Sequence, residues 1–81
     1  MTNSEVEIVI ASDCNYEFLC AEIYFKGKYV AQISQENGPD HLLLEFPRRD
    51  ASEKVVTREC PLDVFLDAVE LAKKRLFGVI P

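Results

Sequence analysis

The apolar positions of this chain follow two periods. Up to Phe46 they recur at every second residue, and from Leu62 to Leu76 at every third or fourth. The first pattern predicts strands. Residues 5–10 alternate, with Val6, Ile8 and Ile10 on one face. Residues 16–25 place Leu19, Ala21 and Ile23 on their more apolar face, and residues 28–35 do the same with Tyr29, Ala31 and Ile33. Residues 41–46 set Leu42, Leu44 and Phe46 against His41, Leu43 and Glu45, and Pro47 ends the run. Residues 54–58 are expected to add a short fifth strand.

The second pattern predicts one helix across residues 60–76. Leu62, Phe65, Leu66, Val69, Ala72 and Leu76 form its main stripe. Pro61 suits a first helical position, where its missing N–H costs nothing. Asp63, Asp67 and Glu70 come early and Lys73, Lys74 and Arg75 late, which suits the helix dipole. Gly78 is the expected stop, and the apolar tail beyond it is expected to pack back on the domain or on a neighbour. Val64, Ala68 and Leu71 form a weaker second stripe, expected to face away from the sheet. The fold class follows: α+β, a four- to five-stranded antiparallel meander with one C-terminal helix on one face, all within a single domain spanning residues 1–81.

Register between the second and third strands rests on parity at Lys26-Gly27. A two-residue loop would mix the two faces by pairing Ile23 with Val30. A three-residue loop with a left-handed Gly27 pairs Ile23 with Tyr29, Ala21 with Ala31 and Leu19 with Ile33, and is the expected solution. That register leaves Phe18, Cys20, Tyr24 and Val30 on the outer face among Glu22, Gln32 and Ser34. A solvated face should alternate more cleanly, so part of it is expected to be covered, most simply by another chain.

Composition narrows the class. The chain has 81 residues, 48% hydrophobic and 28% charged, which is ordinary for a folded domain. Its net charge of −5 disfavours nucleic acid and anionic membrane as main partners, since both are polyanions. No lysine or arginine precedes Lys26, while Glu5, Glu7, Asp13, Glu17 and Glu22 do, so the acid is concentrated in the first two strands. Cys14, Cys20 and Cys60 form no paired motif, no leader is recognisable, and no apolar run is long enough to span a membrane. A cytoplasmic setting with reduced thiols is expected.

Candidate chemistry is sparse. Cys60 lies where a helix begins, a place that lowers thiol pKa values when a basic neighbour helps. A small apolar residue at a strand-to-helix junction is the plainer reading. His41 is the only histidine, and nothing in the spacing pairs it with Cys14 or Cys20. Glu36, Asn37 and Asp40 share one turn but lack calcium-loop spacing. Arg48 and Arg49 sit beside Asp50 and Glu53, which points to mutual surface pairing. No catalytic, metal or cofactor site is expected.

The segment from Ala21 to Glu36, together with Leu44-Glu45-Phe46 and Pro61-Leu62-Asp63, resembles small acidic bacterial proteins, some of which look like immunity proteins of toxin systems. The resemblance runs from the second strand to the helix. It implies a bacterial, cytoplasmic, non-enzymatic binding module and supplies no active-site residues.

The expected function is therefore a protein-binding module that meets a basic protein partner and forms a homodimer. Glu17, Phe18, Glu22, Tyr24 and Val30 of the first hairpin, with Val64 and Leu71 of the helix, are the candidate contact residues. The alternatives are a structural homodimer without further partner, and a thiol-dependent enzyme or redox module using Cys60 or Cys20.

Overall fold

The alternating runs become a four-stranded antiparallel sheet in the order β1-β2-β3-β4, and the periodic C-terminal run becomes one helix. A computed structural model describes residues 5–12, 18–38 and 40–77. The strands are β1 Val6–Ala11, β2 Cys20–Phe25, β3 Lys28–Ser34 and β4 Leu43–Glu45, and the helix α1 is Leu62–Leu76. This is the expected meander with a C-terminal helix. Residues 54–58 do not add a fifth strand. Val56 makes only an isolated parallel bridge with Tyr29, in which Tyr29 N–H donates to the Val55 carbonyl at 2.9 Å and Thr57 N–H to the Tyr29 carbonyl at 3.0 Å.

The β2–β3 turn differs from the expected one. Phe25 pairs with Lys28, so the loop is two residues long, and Lys26 and Gly27 both have positive φ, 53° and 82°. This is the mirror-image turn whose twist matches that of the strands. Lys26 has no glycine-like freedom and accepts the left-handed conformation because hairpin closure demands it. Parity is restored inside the strand instead. Ile23 pairs with Ala31 and Tyr24 with Tyr29, leaving Val30 as an extra, bulged residue. Ala21 then meets Ile33, not Ala31. The bulge exchanges two side chains between faces. Tyr29 goes to the outer face beside Tyr24, and Val30 goes inward, 6% exposed.

The inner face assembles the core. Ile8, Ala21, Ile23, Phe25, Val30, Ala31 and Ile33 form one cluster with Ala68, Ala72 and Leu76 of α1. The helix packs chiefly on β1 and β2. Its buried line runs through two alanines, because small residues let the helix axis approach the large side chains of the sheet. Phe65, Val69, Val64 and Leu71 flank that line, half-buried against the core. The contact face is thus rotated by roughly 60° from the expected stripe, at 100° per helical residue. Leu62 and Leu66, counted in that stripe, are exposed, Leu62 by 71%. Val64 and Leu71, expected to face away, belong to the packed side. Pro61 occupies the cap position one residue before the helix, and no side chain caps it. Gly78, Val79 and Ile80 lie outside the described residues.

One side chain holds the connection between sheet and helix. Arg58 Nη2 donates to the carbonyls of Arg48, Arg49 and Ala51 at 2.9, 3.2 and 3.3 Å, and its Nε meets Glu53 Oε2 at 2.7 Å. Five fixed donors in a planar fork suit such a carbonyl nest. Of the two arginines expected to pair within this loop, Arg48 reaches Asp50 at 3.4 Å on the surface, while Glu53 goes to Arg58.

Candidate functional site: the outer face of the sheet

The cross-strand registers arrange the outer face in rows. Glu7, Tyr24 and Tyr29 form one row, and Val9, Glu22, Gln32 and Glu45 form the next. Ala11 pairs with Cys20, and Ser34 pairs with Leu43, in a third. Among the described residues, the strand positions of this face carry three carboxylates and no lysine or arginine. Adjacent strands lie about 4.8 Å apart, so Glu22 and Glu45, with Gln32 between them, are about 10 Å apart.

Short polar contacts hold these groups. Tyr24 Oη donates to Glu22 Oε1 at 3.0 Å, and Gln32 Nε2 donates to Glu45 Oε1 at 3.0 Å. The Tyr24 and Tyr29 rings meet edge to face with centroids 5.7 Å apart. Burial, then the negative charge of Glu22, the Tyr24 phenol and Glu45, push the Tyr29 phenol up to about 12. Tyr24 is raised as well, first by burial and then by its hydrogen bond to Glu22. Burial is the larger cause of both shifts, and the nearby carboxylates add to it. None of the ion pairs among the described residues involves Glu7 or Glu22.

The expected contact residues fall in four places. Glu22 and Tyr24 are on the outer face, half-buried and hydrogen-bonded. Phe18 is exposed, and its N–H donates to Glu36 Oε2 at 2.8 Å, which uses the turn carboxylate first weighed as a cation ligand. Val30 is in the core and is not an outer-face anchor, while Val64 and Leu71, expected on a helix stripe facing away from the sheet, pack against the core. Glu17 lies outside the described residues. Sequence reasoning counted Glu7 among the acidic residues of the first two strands but passed over Tyr29 and Glu45. Parity marked Glu7 and Glu45 as outward-facing, but pairing across all four strands was needed to bring them beside Glu22. Tyr29 reaches the face only because of the bulge.

The apolar residues of the outer face are partly accounted for within one chain. Cys20 and Ser34 are fully buried, so this end of the face needs no second chain to cover it. The Ser34 Oγ is buried without a hydrogen-bond partner. Cys20 Sγ lies 3.9 Å from the Ala11 carbonyl and from Gln32 Oε1, inaccessible to a reagent while the sheet is closed.

A second feature lies on the helix side, beyond the edge of the helix layer. An open groove of about 280 Å³ runs between Phe46, Pro47, Leu62 and Phe65, with Val30 and Cys60 also lining it. Phe46 stacks on Phe65 with centroids 6.5 Å apart, yet remains 65% exposed. Burial, then the Asp63 carboxylate, raise the Cys60 thiol above its ordinary range, despite its place at the start of a helix. That is the wrong direction for a nucleophile. No cluster of three or more histidine, cysteine or acidic side chains able to hold a metal ion occurs among the described residues. Among the described residues, no helix is long and apolar enough to cross a membrane. Comparison with family models, curated proteins and solved structures finds no match to this chain.

Proposed function

We propose that this domain is a non-enzymatic protein-binding module whose outer sheet face receives a basic partner. The observation that carries the reading is the joining of Glu7, Glu22 and Glu45 with Tyr24 and Tyr29 on a face that the helix leaves open. Carboxylates carried on three of the four strands attract an extended cationic surface before contact and fix its orientation. Tyrosine rings already held by packing and a hydrogen bond lose little freedom when covered, which makes them suitable anchors. The raised Cys60 thiol and the enclosed Cys20 favour binding over thiol chemistry. The Cys60 thiol, which is in no disulfide, suits a reducing cytoplasm. An immunity-type inhibitor that caps the cationic surface of a toxin is one form this module takes.

The test uses an arginine-rich peptide as probe. Backbone amide shifts are followed by NMR at low and high salt, in the parent protein and in a Glu7→Gln, Glu22→Gln, Glu45→Gln variant. Perturbations should centre on the outer-face rows, weaken with salt and largely disappear in the variant. Shifts centred instead on the helix carboxylates Asp63, Asp67 and Glu70, or undiminished in the variant, would sink the reading.

A further inference from the structure

β1 is an edge strand of six residues. Sheets ordinarily blunt such edges with lysine, proline, a bulge or a very short strand. The opposite edge, β4, is three residues long and Pro47 soon follows it. β1 has no lysine, proline or bulge, and Glu7 is its single charged residue. It reads Val-Glu-Ile-Val-Ile-Ala, and its register with β2 is unbroken. Val9 and Ile10 remain 36% and 37% exposed on its two faces. Among the described residues, nothing pairs with its outer side.

One hydrogen bond shows which backbone groups are spare. Lys26 N–H donates to the Glu5 carbonyl at 2.8 Å, opposite in register. Antiparallel alternation then turns Glu7, Val9 and Ala11 toward β2, and leaves the N–H and C=O of Val6, Ile8 and Ile10 aimed at the open edge. Three donor–acceptor pairs in a row, carried by apolar residues, match another strand and little else.

We infer that this strand is β1 of a second copy, antiparallel about a two-fold axis at Val9. Charge selects the axis. With the axis at Ile8, the two Glu7 side chains become diagonal neighbours about 7–8 Å apart. With the axis at Val9 they stand four residues apart, about 14 Å, beyond the screening length of about 8–10 Å. Ile8 then exchanges both hydrogen bonds with Ile10 of the second copy. Val9 meets its own counterpart as a close, non-hydrogen-bonded pair, and Glu7 faces Ala11 of the second copy. Within Val6–Ala11 no like charges stand directly opposite, which matters in a chain of net charge −5.

The helix layer fits the same axis. α1 packs on β1 and β2, so its axis lies about 5 Å from the two-fold, and the two helices come to about 10 Å apart. That is the upper end of the usual packing distance of about 8–10 Å. The Phe46–Phe65 contact turns the Leu62 flank toward β4, which leaves Val64 and Leu71 on the flank nearer the axis. The result is an isologous pair with one eight-stranded sheet, both helices on one side and both acidic faces on the other. It does not depend on what those faces bind.

Light scattering after size exclusion, over a dilution series, tests the inference. The parent should be a dimer, and Val9→Lys, which sets two ammonium groups opposite each other, should be a monomer with unchanged circular dichroism. Val9→Cys in a Cys14→Ser, Cys60→Ser background should oxidise readily to a covalent dimer, because close antiparallel pairs have disulfide geometry; Glu7→Cys in that background should not. A parent that is monomeric throughout overturns the inference. So does a dimer that survives Val9→Lys but dissociates on Leu62→Glu, which would place the second copy on the helix-side groove. Preferential crosslinking through Glu7→Cys overturns the register.

Discussion

Val30 offers a direct test of the bulge. Were parity corrected in the turn, Val30 would sit on the outer face, and exposed substitutions there would change stability by less than about 0.5 kcal/mol. With the bulge it is 6% exposed and belongs to the core cluster that includes Phe25, Ile33 and the buried helix residues. Val30→Ala removes two buried methyl groups' worth of transfer, about 1.6 kcal/mol at about 0.8 per group. The residual cavity brings the loss to about 2–3 kcal/mol. Val30→Thr keeps the shape but buries a hydroxyl and should cost about 1–3 kcal/mol. An 81-residue domain has a total of about 4–12 kcal/mol, so either change is large. Urea unfolding followed by circular dichroism reads it. For a domain this small the slope is about 1 kcal/mol per molar, so the Val30→Ala midpoint should fall by about 2 M. If both variants unfold within about 0.5 kcal/mol of the parent with an unchanged slope, Val30 is not in the core and the register described above is wrong.

Further outcomes follow from the same geometry. Absorbance titration of the phenolates should show Tyr29 ionising near 12 in the folded protein, and Glu22→Gln should bring it down. The folded pKa lies above the unfolded value, so between about 10 and 12 the unfolded chain has released a proton that the native state keeps, and stability should fall as pH rises through that window. Arg58→Ala should free the 48–53 loop and cost about 1.5–3 kcal/mol; trypsin should then cut after Arg48 or Arg49 much faster, and an unchanged digestion rate would show that the carbonyl nest holds nothing. Cys60 should react with a disulfide reagent more slowly than a free thiol at neutral pH, and Asp63→Asn should speed it, as read by mass spectrometry of the labelled peptide.

Much of the architecture was legible because side-chain alternation reports face directly. Val6, Ile8, Ala21, Ile23, Ala31 and Ile33 all lie on the face their spacing assigns. Pairing was less legible. A parity mismatch between two strands shows that one residue must be absorbed, but a turn and a bulge absorb it equally well in sequence. Lys26 at positive φ disguised the tighter turn, since that conformation is expected of glycine or asparagine. The helix misled for another reason. Hydrophobic spacing gives weight to leucine, whereas the line of closest approach is taken by Ala68 and Ala72, so Leu62 and Leu66 were assigned to a contact they do not make. The acidic character of the outer face was visible in Glu7 and Glu22, while its extension to Glu45 and Tyr29 required the third and fourth strands in place.

Two alanines on the helix have a consequence for what this molecule is able to do. By letting the layers close up, they leave a slab only 19 Å through its shortest dimension. Such a plate is two layers deep, and the groove beside Phe46 and Phe65 opens at its rim. In so thin a plate, side chains outside the one buried layer reach the flanks and rims, where substitutions alter the surface at little cost to the centre.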